Sequence, residues 1–171
     1  MAKNELKLNK KFVWFSVLAG LLSYIAYYFR FPNLYGILIG IIFLAAFIKN
    51  SGKKECLNFI IYLIIFDLIT APLAFLVQSN LLVQIISLAV NWILFALMIR
   101  GLKSLKIWAF YLVIIIFILS LINIISSIIA VFAQSAAWNL QLIVASTRIL
   151  ISLVLVIFLL KCLVASKKYF K

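Results

Sequence analysis

The chain contains no histidine, and only Glu5, Glu55 and Asp67 among its 171 residues are acidic. Losing histidine removes the commonest general base, the commonest metal ligand and the usual axial haem ligand. Glu5 and Glu55 sit among lysines, so one carboxylate remains within an apolar run, and hydrolysis by paired aspartates is excluded by count. The five glycines form no phosphate-cradling loop. Ser152 and Lys161 share an apolar run but are too far apart in helical register to meet as a dyad. Neither an enzyme nor a cofactor is expected. Cys56 and Cys162 are the only cysteines, each near a lysine-rich end of an apolar run. In a reducing compartment they are expected to be free thiols that pack as small apolar groups.

Polar surface is the other scarcity. Hydrophobic residues make up 68% of the chain and charged residues 11%, with a mean hydropathy of +1.31. A soluble domain cannot cover itself with so little polarity. The apolar runs 12–29, 34–48, 57–77, 81–99, 107–132 and 142–165 are mostly as long as a bilayer core is thick. The expected fold is all-α: a polytopic helical membrane protein of six spans with short loops. No segment outside the runs is long enough to bury a separate core, so residues 1–171 read as a single domain.

A net charge of +13 suggests nucleic acid in a soluble protein. Here the basic residues flank apolar runs and fall in alternate loops, so no nucleic-acid partner is expected. Lys3, Lys7, Lys10 and Lys11 precede the first run; Lys49, Lys53 and Lys54 follow the second. Arg100, Lys103 and Lys106 follow the fourth, and Lys161, Lys167, Lys168 and Lys171 close the chain. The alternate loops "FRFPN", "QSN" and "AQSAAWNLQ" carry only Arg30. By the positive-inside rule both termini are cytoplasmic, in a prokaryotic inner (plasma) membrane. The basic head and first run resemble a signal peptide, but Tyr27, Tyr28 and Phe29 occupy the place of a cleavage site, which predicts an uncleaved anchor. Trp14, Trp108, Tyr111 and Trp138 are expected at the membrane interfaces, where amphipathic rings settle.

Within the runs, small and polar residues recur at helical spacing. The first run has Ser16, Ala19 or Gly20, Ser23 and Ala26; the second has a GxxxG pair, Gly36 and Gly40. Asp67, Thr70, Ala71 and Ala74 follow in the third, and Gln84, Ser87 and Asn91 in the fourth. The fifth carries Ser120, Asn123, Ser127 and Ala130, and the sixth Ala145, Arg148 and Ser152. Such stripes let helices approach closely where lipid supplies no hydrophobic drive; Gly36 and Gly40 suit such packing, or equally a dimer face.

Asp67 and Arg148 demand more. Translocon scales charge roughly 2.5–3.5 kcal/mol for either at a helix centre. With about 1.5 Å of rise per residue, their Cα depths differ by only about 6 Å across a core of about 30 Å. The expectation is a buried Asp67–Arg148 pair with Asn91, Asn123 and Thr70 nearby. It acts either as a staple between spans three and six or as the lining of a polar cavity. A staple predicts that neutralising both charges recovers much of what neutralising one costs. Pro72 frees the carbonyl of Leu68, which could face such a cavity.

The arrangement is similar to the small substrate-capturing subunits of vitamin transporters, although the chain is poorer in glycine. The leading expectation is a transport-type subunit binding a solute, ion or lipid headgroup at the polar centre. At 19.5 kDa it would work as a homo-oligomer or with a partner membrane protein. The alternative is a non-transporting accessory, immunity or defence-type protein that recognises another membrane protein within the lipid bilayer.

Overall fold

The computed structural model describes residues 6–50, 55–75, 81–133 and 140–170. It is all-helical: α1 (Lys10–Tyr28), α2 (Pro32–Asn50), α3 (Glu55–Phe75), α4 (Leu81–Lys103), α5 (Ile107–Ala133) and α6 (Leu140–Ala165), then a 3₁₀ turn at Lys167–Tyr169. All six α-helices are long and apolar enough to cross a membrane, which points to a multi-pass membrane protein. The second helix is longer than its apolar run, because Pro32 opens it and Lys49 and Asn50 extend its last turn. The loop residues 76–80 and 134–139, with Trp138, lie outside the described residues.

The helices close a ring in the order α1, α3, α4, α5, α6, α2, and α3 also reaches across to α2 and α6. Small residues permit the tight contacts. The buried face of α1 is Ser16, Ala19, Gly20, Ser23 and Ala26, the stripe visible in the sequence. A methyl group on Gly20 would stand 2.7 Å from Ile69 Cγ2 of α3, and one on Gly40 would stand 2.6 Å from Ile151 Cγ2 of α6. Backbone proximity of this kind replaces the hydrophobic drive that lipid lacks. The α5 stripe behaves otherwise: Asn123 and Ser127 lie exposed on the outer surface. The Ser126 and Ser127 hydroxyls are satisfied by carbonyls of their own helix. Around the ring, Leu18, Ile41, Ile93 and Leu150 are also exposed, the arrangement expected of a lipid-facing surface.

The two ends of the bundle are built differently. At the lysine-rich end, Leu57, Ile60, Ile61, Ile64, Met98, Leu102, Val113, Leu159 and Leu163 are fully buried. The N-terminal segment straps this end: Leu6 N–H donates to Lys103 O (3.0 Å), Asn58 Nδ2 donates to Lys7 O (3.3 Å), and Asn9 N–H donates to Tyr62 Oη (2.8 Å). Phe170 folds back onto Phe110, their ring centroids 5.2 Å apart.

Two helices, α1 and α4, end in the same way. Arg30 N–H donates to Tyr27 O and Phe31 N–H to Ala26 O, while Leu105 N–H donates to Leu102 O and Lys106 N–H to Gly101 O. These are Schellman ends, whose left-handed residue is usually glycine. Here it is Arg30 (φ 61°) and Leu105 (φ 54°). A side chain in that region costs roughly 1–2 kcal/mol. Leu105 offsets this by burial in the packed end; the setting of Arg30 is the cavity described below.

The cysteines correct the expectation of free thiols. Cys56 of α3 and Cys162 of α6 form a disulfide, with Cα atoms 6.3 Å apart and both residues fully buried. Keeping cysteines reduced in a reducing compartment requires access by soluble reductants. A bond sealed inside a packed helical core does not meet them. Protein purified without reductant and then denatured is expected to take up no alkylating reagent, and two equivalents after reduction. Two alkyl groups without reduction would show that the thiols are free.

Candidate functional site

At the end opposite the lysine-rich loops, packing gives way to two adjoining cavities. The inner one has a volume of about 520 Å³ and is lined by Asp67, Thr70, Asn91 and Arg148, among others. Ser23, Tyr27 and Tyr35 add hydroxyls, and Phe66 and Phe95 add rings. The outer cavity, about 960 Å³, is walled by Tyr24, Tyr27, Tyr28, Arg30, Phe31 and Asn33. Both share Tyr27, Pro32 and Leu73 as walls.

Pro72 is responsible for much of this end. It cannot donate to Leu68 O, which would otherwise close an α3 hydrogen bond. The freed carbonyl does not face the cavity as the sequence suggested. Trp92 Nε1 of α4 donates to it at 3.1 Å. One residue on, Tyr24 Oη of α1 donates to Ile69 O at 2.7 Å. The proline-weakened stretch of α3 is thus held on two sides by neighbouring helices, and Asp67 and Thr70 stand beside it. Tyr35 Oη of α2 donates to Ala19 O of α1, fixing the first hairpin across the cavity wall.

The expected Asp67–Arg148 ion pair is not formed. Arg148 Nη1 donates instead to Asn33 Oδ1 at 2.7 Å. Among the described residues the Asp67 carboxylate has no hydrogen-bond or ion-pair partner. The cause is Gly36. Its missing side chain leaves a groove along α2, and Arg148 lies in it, with Nε 3.1 Å from where a Cβ of Gly36 would be. A long cationic side chain extends toward the more polar end of its helix when a path exists. Matching Cα depths therefore overstated the meeting of the charged groups. Gly36 and Gly40 both lie against α6, Gly36 making room for Arg148 and Gly40 for Ile151.

Of the residues singled out from sequence, Asp67, Arg148, Asn91 and Thr70 share the inner cavity. Asn123 does not join them, because it is exposed on α5. Helical spacing placed it on the polar stripe of α5 but not which way that stripe turns. Thr70 Oγ1 donates to Phe66 O and Asp67 O, so its hydroxyl is tied to its own helix. Sequence reasoning missed Asn33, Tyr27, Tyr35 and Arg30. Arg30 had a signal: it is the one basic residue in the otherwise uncharged loops. Tyr27 entered only as an obstacle to signal-peptide cleavage, and Tyr35 and Asn33 carried no signal.

No family profile, curated protein or solved structure matches this chain.

Because the two charges do not touch, Asp67→Asn and Arg148→Gln are expected to change thermal stability independently. Their coupling in the double variant should fall well short of cancelling either single loss, because the shared cavity links them only through space. A double variant that recovers most of the single losses would restore the direct pair.

Proposed function

We propose that the chain is a small integral membrane subunit of transport type, which captures a polar ligand from the side opposite its basic loops. One observation supports this above the others: a largely apolar cavity holds a carboxylate and a guanidinium that do not neutralise each other. Ionisable groups in such apolar surroundings are costly unless they serve a structural pair or a ligand. With the pair unmade, a ligand is the better account. Aromatic walls, a few convergent polar groups and a volume of several hundred Å³ are the ordinary features of a small-molecule site.

Orientation follows from the charge asymmetry: both termini in the cytoplasm of a prokaryotic cell and the cavity mouth outside. The packed, strapped basic end offers no continuing path among the described residues. This conformation therefore suits capture. Release requires either a movement of α3 about Pro72, beyond the disulfide that fastens it to α6, or a partner subunit that accepts the ligand. The exposed polar residues Asn123 and Ser127 of α5 favour a second reading, in which another membrane helix packs on that face. A homo-oligomer or an accessory role toward another membrane protein would both use it.

The test is native mass spectrometry of protein exposed to an extract of its host membranes and metabolites. Wild type is expected to carry a bound non-protein mass. Thr70→Trp, which fills the inner cavity without altering a charge, is expected to carry none. An empty wild type accompanied by one stoichiometric protein partner would favour the accessory reading.

A further inference from the structure

Resting on the reading of this cavity as a ligand site, we infer that its ligand is zwitterionic, carrying an ammonium and an anionic phosphate or carboxylate on one molecule. The inference rests on where the charges stand. Asp67 and Arg148 line the same cavity from different helices, α3 and α6, and are not in contact. Arg148 spends one N–H on Asn33, beside the shared wall of the two cavities. A guanidinium carries five donors in a fixed fork, so most of its capacity remains for an anion. Asp67 offers only acceptors when ionised, and an ammonium offers three donors and the opposite charge.

A simple anion would satisfy Arg148 and leave the carboxylate exposed to a like charge. A simple cation would do the reverse. One molecule with both groups neutralises both walls at once.

The outer cavity adds a direction. Arg30 stands there in a left-handed conformation that glycine would adopt without strain. Among the described residues its guanidinium has no partner. A cation held at the mouth, with Arg148 behind it, draws the anionic end of a ligand toward the opening and leaves the ammonium to go deeper, to Asp67. Phe66 and Phe95 supply ring faces, against which an ammonium or its methylenes can rest. The mouth continues onto exposed apolar surface at Tyr28, Phe29 and Leu34. An acyl chain could lie there, so the zwitterion could be a phosphoethanolamine lipid headgroup or a free solute of the same chemistry.

The experiment measures binding to purified protein of three probes: short-chain phosphatidylethanolamine, phosphatidylglycerol of the same chain length, and free glycerophosphoethanolamine. Phosphatidylethanolamine is expected to bind at least about tenfold tighter than phosphatidylglycerol, the order of one charge-assisted contact. Asp67→Asn, nearly isosteric, should bring that ratio to about one while phosphatidylglycerol binding persists. Arg148→Gln should weaken both lipids. Arg30→Gly should also weaken both, and misfolding cannot explain its effect, because glycine suits that backbone and stability should hold or rise. Free glycerophosphoethanolamine binding as tightly as the lipid identifies a soluble zwitterion; much weaker binding identifies the lipid. Equal affinity for both lipids in wild type, unchanged in Asp67→Asn, overturns the inference but leaves a ligand site. Failure to bind any of the three also overturns it, and the bound mass from the extract then decides separately whether the cavity is a ligand site at all.

Discussion

Two opposite charges that line one cavity of an apolar bundle and are held apart are the constraint around which this structure is arranged. A carboxylate and a guanidinium buried together ordinarily collapse into a pair, since each repays part of the other's desolvation. Here Gly36 and Asn33 give Arg148 another place to go, and Asp67 is left facing open volume. The cavity is what keeps that carboxylate tolerable, because its unmet acceptors meet space that water or a ligand can fill.

Such an opening has to be supported by something rigid. The supporting structure is the lysine-rich end, where α3 is packed among α1, α2, α4 and α6, strapped by residues 6–9 and joined to α6 by Cys56–Cys162. Toward the other end, Pro72 interrupts the α3 ladder, and Trp92 and Tyr24 hold the freed region from outside it. A single helix thus passes from a close-packed half to a cross-braced half, and Asp67 stands near the change. Motion at the cavity is therefore easier to imagine around Pro72 than around the disulfide.

Composition and periodicity made the architecture legible. The six helices, their approximate limits and the buried face of α1 were all readable, because bilayer thickness and helical spacing leave few alternatives. Four of the five residues proposed for the polar centre do share one cavity. What did not follow were the partnerships. The Asp67–Arg148 distance depends on side-chain path, which a groove at Gly36 decides, and no spacing in α6 reveals it. The disulfide joins residues 106 apart and depends on the α3–α6 crossing. Asn123 carried the same pattern as Asn91, yet one turns inward and the other outward, since rotation about a helix axis is set by neighbours.

The central claim is that Asp67 borders a cavity that opens toward the end opposite the basic loops. Thiol accessibility tests it directly, because the native cysteines are joined and therefore silent. With Thr70→Cys, a membrane-impermeant maleimide added to intact cells should label the protein. With Ile64→Cys, nearly two turns toward the packed end and fully buried, it should not. Labelling of Thr70→Cys only in inverted membrane vesicles, or equal labelling at both positions, would contradict a cavity that opens outward and ends at the packed core.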